Sequence, residues 1–111
     1  NYDKQILDIL LSVGERGISI QALAKHVYNS CSSFFFTPDR EEIYQYVVRF
    51  LRRNSRAAQP LVERTERRGR YRLNTRSNVN AKQLMLDFRT KQQPKEPEKE
   101  KPAQDLSLSL F

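Results

Sequence analysis

Apolar residues at Ile6, Leu7, Ile9, Leu10 and Val13 recur at three- and four-residue spacings, so Asp3 to Val13 reads as an amphipathic helix. Gly14 offers the backbone conformation favoured just past a helix end, and Gly17 marks a second break. Ser19 is placed to cap a second helix running to about Tyr28, in which Ile20, Leu23, Ala24 and Val27 share a face. Ile18, between the break and the cap, is expected to form a strand of one or two residues. From Asn29 onward small polar residues lead into Phe34, Phe35 and Phe36. At least one of these rings is expected in the core, because phenylalanine is among the residues most often buried.

The third helix has the clearest start. Thr37 is a good N-cap, Pro38 suits the first helical position, and Asp39, Glu41 and Glu42 complement the positive end of the helix dipole. Its apolar stripe is Ile43, Val47, Phe50 and Leu51 with Tyr44 and Tyr46 beside it, while Arg49, Arg52, Arg53 and Arg56 lie mainly off it. After a polar break, Pro60 to Thr65 and Arg70 to Asn74 alternate enough to pair as strands around a turn at Glu66 to Gly69. Burying Leu61 on the inner face would also bury Glu63, so either a bulge or an inner set of Val62, Tyr71 and Leu73 is expected, the register staying open. Arg67 and Arg68 then fall at the hairpin tip, with Arg70 and Arg72 on one outer face. The predicted fold class is mainly α with a small β-hairpin, three helices and then the hairpin, over residues 1–77.

Beyond Ser77 the character changes. Residues 78–90 carry Leu84, Met85, Leu86 and Phe88, enough for a short helix that docks on the domain. Residues 91–105 form a charged, proline-containing linker without apolar content, expected to be extended and disordered. Residues 106–111 return to apolar character in the pattern LSLSLF.

Charge sharpens this picture. Ten of the chain's 20 basic residues, all arginines, fall between Arg49 and Arg76, opposed there only by Glu63 and Glu66, so the net charge of +7 belongs to one region. Such a cluster releases counterions beside phosphates, and guanidinium forks onto phosphate or guanine edges. Two plainer readings compete: a solvated basic face, and cations stabilising the C-terminal end of a helix dipole by a few tenths to about 1 kcal/mol each. Arg40 and Lys25 are weaker contact candidates. The single cysteine, Cys31, allows no intrachain disulfide, and there is neither a signal-peptide pattern nor an apolar run near 18 residues. A cytoplasmic protein without a membrane span is expected. The lone His26 has no companion at metal-ligand spacing and reads as a helix-surface residue. With no phosphate-cradling glycine loop and no nucleophile and base at a telling spacing, no enzyme, cofactor or metal is expected.

The order of elements resembles a winged helix-turn-helix domain over roughly residues 3 to 74. More narrowly, ILDILLSVGERGISIQALAKHV, TPDREEIYQYVVRFLRR and PLVERTERRGRYRLN resemble the HARE-type winged helices of bacterial RNA polymerase delta subunits, restriction endonucleases and some chromatin proteins. The matching features are Gly14, Thr37 with Pro38, Pro60 to Val62, and Gly69 to Tyr71. The resemblance implies a domain that serves DNA, a polymerase or a protein partner. The connection between the second and third helices is longer than a tight helix-turn-helix turn, which does not favour base reading by the third helix. Separately, Ser107 to Phe111 resembles the short peptide by which bacterial replication and repair proteins dock on the sliding clamp, with Leu108, Leu110 and Phe111 as its apolar contacts.

Two functions follow as expectations. The first is a non-enzymatic protein that binds double-stranded DNA, acting in bacterial transcription, replication or repair and associated with the nucleoid. Arg49, Arg52, Arg53 and Arg56 would touch phosphates from the third helix, and Arg67, Arg68, Arg70 and Arg72 from the wing. The second is an adaptor that grips RNA polymerase or the sliding clamp through its domain and tail. No heptad or symmetric interface is visible in the sequence, which favours a monomer.

Overall fold

Helix α1 (Asp3–Val13) ends in a 3-10 turn (Gly14–Arg16), followed by strand β1 (Ile18–Ser19) and helix α2 (Ile20–Cys31) in the computed structural model, which describes residues 1–92. Helix α3 (Arg40–Ser55), strands β2 (Val62–Arg64) and β3 (Arg70–Leu73) and helix α4 (Val79–Gln92) complete the fold. The protein is mainly helical with one small antiparallel sheet of order β1-β3-β2. Of the linker expected over residues 91–105, Lys91 and Gln92 instead close helix α4, and its remainder, like the clamp-like peptide containing Leu108, Leu110 and Phe111, lies outside the described residues.

The apolar stripes meet where their spacing puts them. Ile6 and Leu10 of α1, Leu23 and Val27 of α2, and Ile43, Val47 and Leu51 of α3 are all but inaccessible to solvent, and Val62 and Leu73 of the sheet close the same core. Val62 faces Leu73, Glu63 faces Arg72 and Arg64 faces Tyr71, so the hairpin has the inner set Val62, Tyr71 and Leu73. Ile18 and Ser19 pair with Tyr71 and Arg70, the short strand adding a third member to the sheet. Ser19 caps α2, its Oγ accepting from the Ala22 N–H at 3.2 Å.

Three expectations fail locally. Thr37 does not cap α3: Asp39 does, its Oδ1 accepting from the Glu41 N–H at 2.9 Å, and the helix begins at Arg40. Pro38 is instead buried two residues ahead of the helix, at the position where an apolar residue staples against the fourth helical residue, the buried Ile43. None of the three phenylalanines enters the core. A tight turn, with the Ser33 N–H on the Phe36 carbonyl at 2.7 Å, throws Phe34 and Phe35 outward at 93% and 92% exposure and leaves Phe36 at 56%. Pro38 takes the inward place that one of them was expected to fill. Leu86, finally, points to solvent, because α4 docks on the face that carries Ala81, Leu84, Met85 and Phe88.

Helix α4 belongs to this core. Ala81 is fully buried, and Asn78 anchors the helix start, its Oδ1 accepting from the Ala81 N–H at 2.9 Å and its Nδ2 donating to the Gln59 carbonyl at 2.7 Å.

A polar contact locks α1 to α3 on the other side. The Tyr46 hydroxyl donates to the Asp3 carboxylate, and its ring meets the Tyr2 ring edge-on at 5.2 Å. The hydrogen bond to Asp3, then burial, raise the Tyr46 pKa above its ordinary value of 10.0; burial raises that of Tyr2. A raised folded pKa means that the stabilisation is complete below the unfolded value and is lost as pH climbs through the folded one. Urea unfolding from roughly pH 9 to pH 12 should therefore show a steeper loss of stability in the parent than in Tyr46→Phe, which keeps only the Tyr2 contribution. Equal slopes would mean that the hydroxyl contact does not persist in solution.

Candidate nucleic-acid interface

The arginine-rich stretch divides into two groups carried by different elements. Arg49, Arg52, Arg53 and Arg56 project from the C-terminal half of α3 and all four are exposed. At about 100° per residue they span an arc of roughly 100° opposite the buried stripe. None of them makes an ion pair with another described residue. The end of the α3 dipole accounts for cations here, and these side chains are also free to meet an anion.

The second group surrounds the tip of the hairpin. Thr65 holds the turn closed: its Oγ1 accepts from the Arg67 N–H and donates to the Arg67 carbonyl, both at 3.1 Å, while its own N–H donates to the Arg70 carbonyl at 2.9 Å. Gly69 turns the chain at φ +79°. Arg67 and Arg68 stand exposed on this braced turn, beside the exposed Arg64 at the end of β2. The guanidinium of Arg70 reaches back to donate to the Arg16 carbonyl at 3.5 Å, tying the wing to the turn after α1. A shallow recess results, lined by Glu15, Arg16, Thr65, Glu66, Arg67 and Arg70.

Arg72 departs from its expected role. Its side chain is only 12% exposed, its Nε donates to Glu63 at 2.9 Å, Glu66 lies 3.7 Å away and its Nη1 donates to the Glu15 carbonyl at 3.3 Å. The Glu63 bond holds its pKa above the usual guanidinium value. It shares the outer side of the sheet with Arg70, as the alternation requires, but the cross-strand carboxylate takes its Nε–H and the Glu15 carbonyl takes an Nη1–H, so its side chain also braces the wing. Of the weaker candidates, Arg40 lies over the Tyr28 ring at 4.5 Å, while Lys25 is exposed.

Arg16 joins the wing cluster from far away in the chain, and charge clustering along the sequence does not point to it. The signal is the two-residue strand at Ile18, whose pairing with β3 brings the preceding turn beside the hairpin tip. Arg64 is found by register alone.

Among the described residues no group of three or more histidine, cysteine or carboxylate side chains is placed to hold a metal, and no helix is long and apolar enough to cross a membrane. Comparison of the chain with protein-family models, with curated proteins and with solved structures finds no match.

Proposed function

We propose that this chain is a non-enzymatic DNA-binding protein of the winged helix-turn-helix type, with the β2–β3 hairpin as its wing. The element order, with β1 pairing on the outer side of β3, supports the winged-helix reading. One observation carries the function: Arg16, Arg67 and Arg70 line one recess at a braced hairpin tip with only Glu15 and Glu66 opposing them there, and Arg64 and Arg68 stand exposed on the same hairpin. Guanidinium groups carried on a narrow ribbon with a braced turn fit the phosphates flanking a groove, and a closed turn loses little backbone entropy on binding. The α3 arginines form a separate surface. The acidic start of α3, with Asp39, Glu41 and Glu42, repels a phosphate backbone, so the helix is not the base-reading element and binding is largely independent of sequence.

Titration of the full chain into a labelled random-sequence duplex, at about 50 and about 200 mM salt, tests this reading through its salt slope. Replacing Arg67 and Arg68 together by alanine should weaken binding to all sequences alike and flatten the plot of log affinity against log salt by about two. Both side chains are exposed, so the variant should unfold as the parent does. Unchanged affinity would remove the wing from the interface, and a loss confined to particular sequences would point to base contacts instead.

A further inference from the structure

The solvent face of α3 is complementary to itself when turned end for end. Its first half bears Glu41 and Glu42 behind the capping Asp39, its second half bears Arg49, Arg52, Arg53 and Arg56, and Gln45 lies between them on the same exposed side. None of these charges forms an ion pair with another described residue. Just before the helix stand Phe34 and Phe35 at 93% and 92% exposure, with their rings packed only on each other at 5.0 Å, and Phe36 at 56%. Just after it come the exposed Ala57 and Ala58 and the half-buried Pro60.

We propose that this face is the interface of a two-fold symmetric dimer in which α3 packs antiparallel on α3 of a second copy. Placing the axis near the middle of the helix sets Glu42 opposite Arg53 of the second copy and Asp39 opposite its Arg56, each pair occurring twice. It carries the phenylalanine loop past the end of the other helix onto the Ala57 to Pro60 segment. Helix dipoles also pair favourably in this orientation, and a self-complementary patch closes at two copies instead of growing into a fibre.

The apolar area is of the right size. Each phenylalanine can bury roughly 150–200 Å², so the three rings supply about half of the ~800 Å² per partner of a standard interface, and the helix face supplies the rest. Nucleic acid is a poorer occupant of this tip, because Asp39, Glu41 and Glu42 crowd the phenylalanines while one nearby cation, Arg40, is engaged on Tyr28. The wing stays free. It lies by β1 at the start of α2, whereas the phenylalanine loop follows the far end of that 12-residue helix, about 18 Å away along its axis.

Sedimentation of the full chain without nucleic acid, from about 1 to about 200 µM, should show a monomer–dimer equilibrium. Phe34→Ser with Phe35→Ser should weaken it about 100-fold or more while leaving the thermal melt of the monomer unchanged, since neither ring contributes to the core. Glu42→Arg alone and Arg53→Glu alone should each weaken the dimer about tenfold, and the two together should restore it to within about threefold. The restoration is decisive, because both reversals oppose the helix dipole and any effect within one chain would add rather than cancel. A monomer throughout, a larger or open-ended assembly, a dimer indifferent to the phenylalanines, or a double reversal worse than either single one would overturn the assignment. None of these outcomes bears on DNA binding by the wing, which the Arg67 and Arg68 variant reads separately.

Discussion

Alanine in place of Gly17 should lower the stability of the fold by about 3 kcal/mol or more, through two effects that add. The residue sits at φ +73° and ψ −176°, a region that side chains other than glycine essentially do not occupy, which by itself costs about 1–3 kcal/mol. A Cβ there would also lie 2.6 Å from Thr65 Cγ2 and 2.7 Å from the Tyr71 carbonyl oxygen. The methyl moves aside only if Thr65 turns about χ1, which pulls its Oγ1 away from Arg67. The carbonyl belongs to β3 opposite Ile18, so shifting it breaks the pairing that fastens the sheet to the turn after α1. Gly69 is the natural comparison: its φ is +79° but nothing stands within 4 Å of a Cβ, so alanine there should cost only about 1–2 kcal/mol. Urea unfolding of the two variants separates the effects. A Gly17→Ala loss no larger than that of Gly69→Ala would show that β1 and the wing yield without penalty. Because the same contact positions Arg16 beside Arg67 and Arg70, Gly17→Ala should also weaken duplex binding, whereas Gly69→Ala should leave Arg16 in place.

Removal of the Asn74 amide should also be damaging. Asn74 is the one buried polar residue among those described, 3% exposed, and it joins three parts of the chain. Its Nδ2 donates to the Pro60 carbonyl at 2.9 Å and its Oδ1 accepts from the Ser77 N–H at 3.2 Å, while its backbone N–H donates to the Leu61 carbonyl at 2.8 Å. Asn74→Leu keeps the backbone bond and strands the carbonyl of the half-buried Pro60 and the N–H of the exposed Ser77, at about 1–3 kcal/mol for a group kept from water and less where water reaches it, for a total near about 2 kcal/mol. Helix α4 should loosen first, since Ser77 and Asn78 lead into it. Amide hydrogen exchange would read this as faster exchange over residues 79–92 than over α1. Uniform protection in the variant would mean that Ala81 and the apolar face of α4 hold the helix without the Asn74 clasp. Asn74→Asp should be worse near neutral pH, where a carboxylate would face the Pro60 carbonyl, and should recover partly in acid as a protonated carboxyl regains a donor. Burial and that carbonyl raise its folded pKa, so the penalty grows as pH rises above the unfolded value near 3.9.

The helices and the two strands of the hairpin are legible in the chain because their signals are local, whereas the register between the strands is not. The spacing of Ile6, Leu10 and Val13, the cap at Ser19 and the alternation of Val62 with Leu73 and Tyr71 each require only neighbours within a turn or a strand. The start of α3 is misread because Thr37-Pro38 and Asp39 are both acceptable openings. The choice rests on Pro38 being buried ahead of the helix while Asp39 caps it, which only the packed structure decides. The phenylalanines are misplaced because hydrophobicity says only that they favour burial, whereas a tight turn at Ser33 sends them outward.

For the candidate sites the division is similar. The concentration of arginines between Arg49 and Arg76 names the basic region without saying which cations are available, because the sequence cannot tell that Glu63 faces Arg72 across the sheet until the register is set. Arg16 enters the wing cluster only through the pairing of β1 with β3, and the end-for-end complementarity of α3 becomes an interface only once Phe34 to Phe36 are known to be exposed. Sequence alone determined the helical periods, the strand alternation and the concentration of positive charge, since each depends on residues a few positions apart. The tertiary structure decided which arginine is neutralised, which distant arginine joins it and which aromatic rings face water, since those depend on side chains brought together by closure of a core too small to bury every apolar residue.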